Sequence, residues 1–202
     1  MRVAAVSVVV IWLSVATGTV MAAGSPGEDY PLPSLVRDRP QASLFVGPTG
    51  IGNPQMGGGA APEFGFALEV PFSPGRRIRL DASRATWLSK YGGNGIPLVT
   101  DTITMKTLSV SVARMQHWSD RAAGYAALGV AWYRYDYKQV PLDYPWRRGL
   151  DFLMGLEVLN EGHSRAFTIE GRLNSAGGPG QKPYLDLTVF KMALVAGAKM
   201  RF

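Results

Sequence analysis

The sequence predicts an all-β fold, and more specifically an eight-stranded antiparallel transmembrane up-and-down β-barrel. Three observations support this prediction. Apolar residues recur with a period of two in eight runs, the connections between the runs are alternately short and long, and the chain ends inside such a run with Phe202 as its last residue. A helical period is not sustained over the length that a helix would need.

The clearest of the eight runs covers residues 63–72, where Phe64, Phe66 and Leu68 alternate with acidic or small residues. In the third run the parity slips before Ala85 and Trp87, which predicts a β-bulge. A soluble β-sandwich shows the same alternation, so parity alone leaves a soluble fold open. The other seven runs cover residues 42–47, 77–82, 102–114, 124–138, 148–159, 165–173 and 188–202.

The connections between the runs alternate in length, as expected of a barrel with short periplasmic turns and longer outer loops. The short connections are residues 73–75, 116–120 and 161–163, and the long, Gly/Pro-rich ones are residues 48–61, 89–100, 139–146 and 174–183. Aromatic residues near the predicted strand ends suggest interfacial girdles. The outer girdle is predicted to contain Trp87, Tyr91, Tyr133, Tyr135, Tyr137, Tyr144, Trp146 and Tyr184, and the inner girdle Phe72, Trp118 and Phe202.

The N-terminus has the order of a secretory signal peptide: Arg2, an apolar stretch to about residue 20, and small residues before Pro26. We expect cleavage after Ala22, with an uncleaved membrane anchor as the alternative. The predicted layout is a signal peptide at residues 1–22, an extended, proline-rich periplasmic lead at residues 23–40, and an outer-membrane β-barrel domain at residues 41–202. No other segment approaches the ~20 apolar residues that a membrane-spanning helix requires.

The composition of the chain excludes several kinds of site and partner. The chain has no cysteine, which excludes disulfides, thiolate metal sites and a lipoprotein attachment site. The net charge is +6, but the basic residues are scattered. A nucleic-acid partner, which needs a clustered basic stripe, is therefore not predicted. Anionic lipid headgroups of the outer membrane are the more natural partner, and no metal or other cofactor is predicted.

The last strand carries Gly197, Met200 and the terminal Phe202, with apolar residues on one face. This segment resembles the C-terminal assembly signal of Gram-negative outer-membrane β-barrels, although Val195 stands where those signals usually have a polar residue. The resemblance implies that the barrel assembly machinery is a partner during biogenesis.

Acidic and basic residues on the predicted inward face nearly balance. Charges enclosed in a narrow barrel are costly unless they are paired, so we expect an internal ion-pair network that plugs the lumen. Its predicted members are Glu63, Glu69, Arg77, Arg79, Asp81, Asp151, Glu157, Glu170, Arg172, Lys199 and Arg201.

The predicted role is structural or surface-binding, without catalysis. Basic residues among aromatics near the outer loops suit contact with the phosphates of lipopolysaccharide. The candidates are Lys90, Lys138, Arg147, Arg148 and Lys182.

The sequence leaves two other functions open. Residues 172–177 resemble the active-site segment of the lipid A deacylases, but Arg172 stands in place of the base histidine and Asn174 in place of the nucleophilic serine. His117 and His163 fall in predicted periplasmic turns, far from Ser175. A soluble periplasmic barrel of lipocalin type that binds an apolar ligand is the other alternative.

Residues 124–136 alternate small with apolar residues and close in Tyr133-Arg134-Tyr135. This strand resembles the central strand of the small OmpA-like and OmpW-like outer-membrane barrel families. The resemblance implies a stand-alone membrane barrel whose variable loops determine any partner.

Overall fold

The computed structural model describes residues 39–52, 59–93, 96–138, 146–176 and 189–202. The predicted signal peptide and nearly all of the predicted lead lie outside these residues, so their boundaries stay predictions. Within the described ranges, no helix is long and apolar enough to cross a membrane.

The described residues form a closed β-barrel of eight strands, as the sequence predicted. Each strand is antiparallel to the next in the chain, and β1 pairs with β8 to close the barrel. The strands are β1 (Gln41–Gly52), β2 (Gly59–Ser73), β3 (Arg76–Gly93), β4 (Ile96–His117), β5 (Ala122–Tyr137), β6 (Arg147–Leu159), β7 (Arg165–Ala176) and β8 (Val189–Arg201).

The barrel has two distinct ends. The turn end carries the short connections β2–β3, β4–β5 and β6–β7, and the tightest of them is the two-residue turn Pro74-Gly75. Gly75 has a φ of 66°, a conformation that glycine adopts without steric cost. The loop end carries the connections β1–β2, β3–β4, β5–β6 and β7–β8. All three predicted short turns are therefore confirmed at one end.

Strands at the loop end are longer than predicted. The expected loop at residues 89–100 is mostly strand, because β3 continues to Gly93 and β4 begins at Ile96. The ladder between β3 and β4 tolerates the glycines through a register shift between Tyr91 and Gly93. Glycine and proline content predicts a loop, but cross-strand pairing with a long neighbour maintains the extended backbone here.

The predicted bulge in β3 was wrong. The β3–β4 register runs unbroken from Arg76 to Tyr91, and Ala85 and Trp87 lie on the same inward face as Arg79 and Asp81. The apparent slip in parity arose because the inward face changes from charged to apolar at this point. The inside of a narrow barrel is filled by whatever side chains pack there, so its polarity can change along a strand.

The outer aromatic girdle was also partly wrong. Trp87, Tyr133 and Tyr135 are buried inside the barrel, where they pack with Ile103 and Met105 in a cluster near the loop end. At the turn end, the three residues predicted to form the inner girdle are exposed on the outer surface, as expected. They are Phe72, Trp118 and Phe202.

Candidate functional site

The interior of the barrel contains a dense group of ion pairs centred on Glu170 and Arg79. Arg79 is completely buried, and its guanidinium lies 2.9 Å from carboxylate oxygens of both Glu170 and Asp81 and 3.1 Å from Glu69. Arg172 contacts Glu170 and Asp81 as well, the latter at 3.0 Å. Carboxylates on three strands therefore share two guanidinium groups, which cross-links β2, β3 and β7 through the lumen.

The group continues toward the turn end through Glu69. Its carboxylate lies 3.2 Å from Arg77 and 2.8 Å from the Lys199 ammonium. Lys199 also contacts Glu157 at 2.9 Å, and Arg201 pairs with the other Glu157 oxygen. In the part of the chain that the structure describes, five cations and four carboxylates are joined in this way. We call these nine residues the interior network: Glu69, Arg77, Arg79, Asp81, Glu157, Glu170, Arg172, Lys199 and Arg201.

The two remaining predicted interior charges lie elsewhere in the lumen. Glu63 pairs with Lys191 on β8, and Asp151 accepts a hydrogen bond from the Asn174 amide. The network predicted from the sequence does not include Lys191 or Asn174. Lys191 has the same strand parity as Lys199, so extending the alternation of β8 back from the C-terminus would have identified it.

Aromatic side chains complete the surroundings of the interior network. The Tyr125 hydroxyl donates a hydrogen bond of 2.6 Å to Glu170. The Arg172 guanidinium stacks 3.7 Å from the centre of the Phe45 ring, and the Lys199 ammonium lies 4.9 Å from that of Tyr125. These cation–π contacts partly replace the hydration that the cations lose on burial.

The outward face has the opposite character, because it is a continuous apolar band. Between Arg76 and Arg84 on β3, the outward side chains are Ile78, Leu80 and Ala82, and the first two are more than 40% exposed. Exposed apolar residues continue the band around the barrel. They include Leu44, Val46, Phe64, Phe66, Leu68, Val70, Leu108, Val110, Val112, Leu128, Val130, Leu150, Leu156, Val158, Phe167, Ile169, Met192 and Leu194.

Basic side chains bound this band at both ends on β3 and β4. Arg76 is the cross-strand neighbour of Arg114 at the turn end, and Arg84 is the cross-strand neighbour of Lys106 toward the loop end. On each strand the two basic positions are eight residues apart, or about 27 Å along the strand. With a strand tilt of about 40° this separation is about 20 Å along the barrel axis, close to the apolar band of about 25 Å in membrane barrels.

Farther toward the loop end, β5 presents Arg134 and Asp136 outward. The Asp136 carboxylate lies 2.7 Å from Lys106 and 3.2 Å from Arg134. The hydrogen bond from Lys106 lowers the pKa of Asp136, with a further contribution from the charges of Lys106 and Arg134. The carboxylate is therefore ionised at neutral pH.

The structure describes the side chains of three of the five predicted lipopolysaccharide contacts. Arg148 and Lys138 are exposed, whereas Arg147 shares the inward face of β6 with Asp151. Lys90 lies on β3. Lys182 lies outside the described residues.

The predicted assembly signal forms the end of the closing strand. Met200 and Phe202 point outward and are about half exposed or more, at 47% and 64%. Gly197 points inward, where a Cβ atom would come within 2.6 Å of the Thr168 hydroxyl and 2.9 Å of the Leu44 carbonyl oxygen. Close packing between β1, β7 and β8 therefore explains this glycine in structural terms.

The deacylase-like segment contains no hydrolytic arrangement among the described residues. The side chains of Arg172 and Asn174 are engaged with buried carboxylates. Ser175 lies near the loop end of β7, whereas both histidines lie at the turn end, His117 at the end of β4 and His163 in the β6–β7 turn. No group of three side chains suited to hold a metal ion occurs in the described ranges.

No protein-family model matches this sequence. No curated protein matches it either. The barrel is similar to solved structures, among them Neisserial surface protein A, with a TM-score of 0.65 and 13% identity over 81% of this chain and 97% of that one. The outer membrane protein OprG from Pseudomonas aeruginosa has a TM-score of 0.56 and 10% identity over 82% of this chain and 98% of that one. Ail, the attachment invasion locus protein of Yersinia pestis, has a TM-score of 0.50 and 14% identity over 81% of this chain and 99% of that one. At these identities the likeness shows a shared fold.

Proposed function

We propose that this chain is an integral outer-membrane β-barrel protein with a structural or surface-binding role and no catalytic activity. The observation that carries the proposal is the inverted polarity of the barrel. Charged residues are buried inside, and apolar residues such as Leu44 and Leu128 are exposed on the outside, at 72% and 63%. An apolar surface of this extent is unfavourable in water and favourable against lipid chains.

The ends of the apolar band support the same proposal. Arginine and lysine side chains at a membrane interface extend their charged groups toward water while their stems cover apolar surface. Arg76, Arg84, Lys106 and Arg114 stand where such side chains are expected for a bilayer. Phe72 and Trp118, exposed at the turn end, suit the adjoining headgroup region.

A soluble ligand-binding barrel would need the reverse arrangement. Lipocalin-type barrels hold an apolar ligand inside and face water outside. Here the predicted ligand space is occupied by the interior network and, nearer the loop end, by the cluster around Tyr133 and Tyr135. We therefore favour the membrane barrel over the lipocalin alternative.

The surface-binding part of the proposal concerns lipopolysaccharide. Arg148 and Lys138 are exposed near the loop end, which faces the cell exterior in our proposal. We expect Arg148→Ala to reduce the lipopolysaccharide that co-purifies with the barrel. Arg147→Ala is the matched control, because that neighbouring residue shares the inward face. Equal retention of lipopolysaccharide by wild type and Arg148→Ala would contradict this contact.

The membrane placement is tested by cell fractionation followed by electrophoresis of the detergent-extracted protein with and without boiling. We expect the protein in the outer-membrane fraction, with a mobility that changes on heating because the barrel stays folded in cold detergent. Release without detergent would overturn the proposal.

The absence of catalysis is tested on lipid A. We expect the mass spectrum of lipid A to be the same in cells with and without the protein. Loss of an acyl chain in the presence of the protein would support the deacylase alternative instead.

The assembly signal belongs to this proposal as well. Phe202 directly follows β8, the strand that closes the barrel against β1, and its backbone N–H donates a 3.1 Å hydrogen bond to the Pro40 carbonyl. We expect Phe202→Ser to lower the yield of heat-modifiable protein in cells, while the purified variant still refolds in detergent. A failure of both would indicate a structural role for the side chain, and unchanged yield in cells would exclude the signal.

A further inference from the structure

Three basic side chains lie side by side on the outward surface, just beyond the apolar band toward the loop end. Arg84 on β3 is the cross-strand partner of Lys106 on β4, which in turn is the partner of Arg134 on β5. Neighbouring strands lie about 4.8 Å apart, so the three Cα positions span about 10 Å. We call these three residues the basic row.

A row of like charges is unfavourable by itself, because cations directly opposite each other on a sheet repel. Asp136 offsets part of the repulsion through its contacts with Lys106 and Arg134. Among the described residues, Arg84 makes no ion pair, and the row with Asp136 keeps two excess positive charges. The side chains of Lys106 and Arg134 stay 47% and 41% exposed, so they are accessible to an anion.

The surroundings of the basic row match an amphipathic anion. On the side toward the apolar band, the next outward residues are Ala82, Leu108 and Trp132, which offer a surface for acyl chains. On the other side are Thr86, Thr104 and Asp136, and the two threonine hydroxyls share a hydrogen bond of 3.0 Å. An apolar layer and a cationic layer thus follow one another in the order of acyl chain and phosphate in a glycolipid.

We propose that the basic row is a binding site for the phosphate groups of lipid A in the outer leaflet of the outer membrane. This inference rests on the proposed membrane placement, which directs the loop end toward the outer leaflet. Charge-assisted hydrogen bonds from guanidinium and ammonium groups recognise phosphate, and the arginines provide bidentate geometry. Arg148 on β6, the cross-strand neighbour of Trp132, extends the positive surface around the barrel.

The turn end provides a matched control on the same two strands. Arg76 and Arg114 are also exposed, outward-facing cross-strand partners, and they lie eight residues away from Arg84 and Lys106. In the proposed orientation they face the inner leaflet. Removing both removes the same number of charges from the same strands but leaves the basic row intact.

The experiment measures lipid A binding by the full-length mature barrel in detergent micelles, with EDTA present to remove bridging divalent cations. Bound lipid is counted by native mass spectrometry after each variant passes the heat-shift test for folding. For bis-phosphorylated lipid A, we expect Arg84→Gln/Lys106→Gln to weaken binding about tenfold, through the loss of two charge-assisted contacts. Arg76→Gln/Arg114→Gln should stay within about twofold of wild type. Asp136→Asn should bind about twofold to threefold more tightly, because the carboxylate no longer competes for the row.

Equal losses in the two double variants would overturn the site, since the effect would then reflect total charge. Equal binding of dephosphorylated lipid A, or of phosphatidylglycerol, would overturn the assignment to lipid A phosphate. Weaker binding by Asp136→Asn would contradict the proposal that its carboxylate competes with lipid phosphate for the basic row. If the protein is found in the outer membrane but its Arg84→Gln/Lys106→Gln variant binds lipid A like wild type, the site alone is refuted. If the protein is released without detergent, the proposed function is refuted.

Discussion

Replacing Glu170 with glutamine tests whether the interior network is closed to water. The side chain is 1% exposed and accepts hydrogen bonds from Arg79 at 2.9 and 3.0 Å, from Arg172, and from the Tyr125 hydroxyl at 2.6 Å. Glutamine preserves the shape but removes the charge, and its amide NH₂ group would face guanidinium donors that it cannot accept from. The change therefore isolates the electrostatic contribution of one carboxylate.

The expected magnitude follows from burial and from the composition of the interior network. Breaking a buried ion pair by removing one partner costs about 3–5 kcal/mol. The interior network already has one more cation than carboxylate, so the variant raises the positive excess of these nine residues from one charge to two. A loss of 3–5 kcal/mol corresponds to about a hundredfold to a few thousandfold in the folding equilibrium.

The assay is equilibrium unfolding in urea in lipid vesicles, with the cold-detergent gel shift as the readout of folded barrel. The matched control is Lys106→Gln, which breaks a pair whose side chains are 47% and 37% exposed. We expect that control to cost less than about 1 kcal/mol. Removing Arg172 as well, in Glu170→Gln/Arg172→Gln, should cost less than the sum of the two single changes, because it restores the charge difference.

If Glu170→Gln loses no more free energy of unfolding than the exposed control, water in the lumen screens these charges and the interior network is not closed to solvent. Strict additivity in the double variant would likewise contradict the direct coupling between Glu170 and Arg172.

Three further predictions concern the outward face, strand packing and pH. Leu80→Arg, at the middle of the apolar band, should destabilise the barrel in lipid by about 2–4 kcal/mol, whereas Thr86→Arg, beyond the band, should cost about 1 kcal/mol or less; equal costs in vesicle unfolding would argue against a membrane here. Gly129→Ala should cost about 1–3 kcal/mol or more, because its Cβ would lie 2.1 Å from a backbone oxygen of β4, while Gly171→Ala, with nothing within 4 Å, should leave the urea midpoint unchanged. Ionised Asp136 should contribute fully to the free energy of unfolding above its unfolded-state pKa, and this contribution should disappear as pH falls through the lowered folded-state pKa. The difference in unfolding free energy between wild type and Asp136→Asn should therefore shrink on acidification. A difference that grows would contradict the pairing.

The strand pattern was predictable because it depends on local geometry. Successive side chains of a strand point to opposite faces, so the alternation of Phe64, Phe66 and Leu68 with Glu63 and Glu69 determines which residues share a face. The turn Pro74-Gly75 was recognisable from its residue types. Eight alternating runs with alternating connection lengths then left few arrangements other than a closed barrel.

The interior was only partly predictable, for a related reason. Strand parity correctly predicts the inward charged residues, but the prediction that Trp87, Tyr133 and Tyr135 form an outer girdle is wrong. Parity in an apolar stretch does not tell an inward aromatic residue from a lipid-facing one when both faces carry apolar side chains. Burial inside a narrow lumen depends on what the opposite wall provides.

Eight strands, their antiparallel order and, for most of them, the two faces follow from the sequence alone, because a period of two is a property of the extended chain. Which side chains meet depends on how the strands are paired in the folded barrel. Arg79 and Glu170 are 91 residues apart in the chain, and Arg84, Lys106 and Arg134 become neighbours through the registers of two strand pairs. A shift by two residues would preserve every face while exchanging every partner, so the register, set by turn geometry and by closure of β1 on β8, creates both the interior network and the basic row.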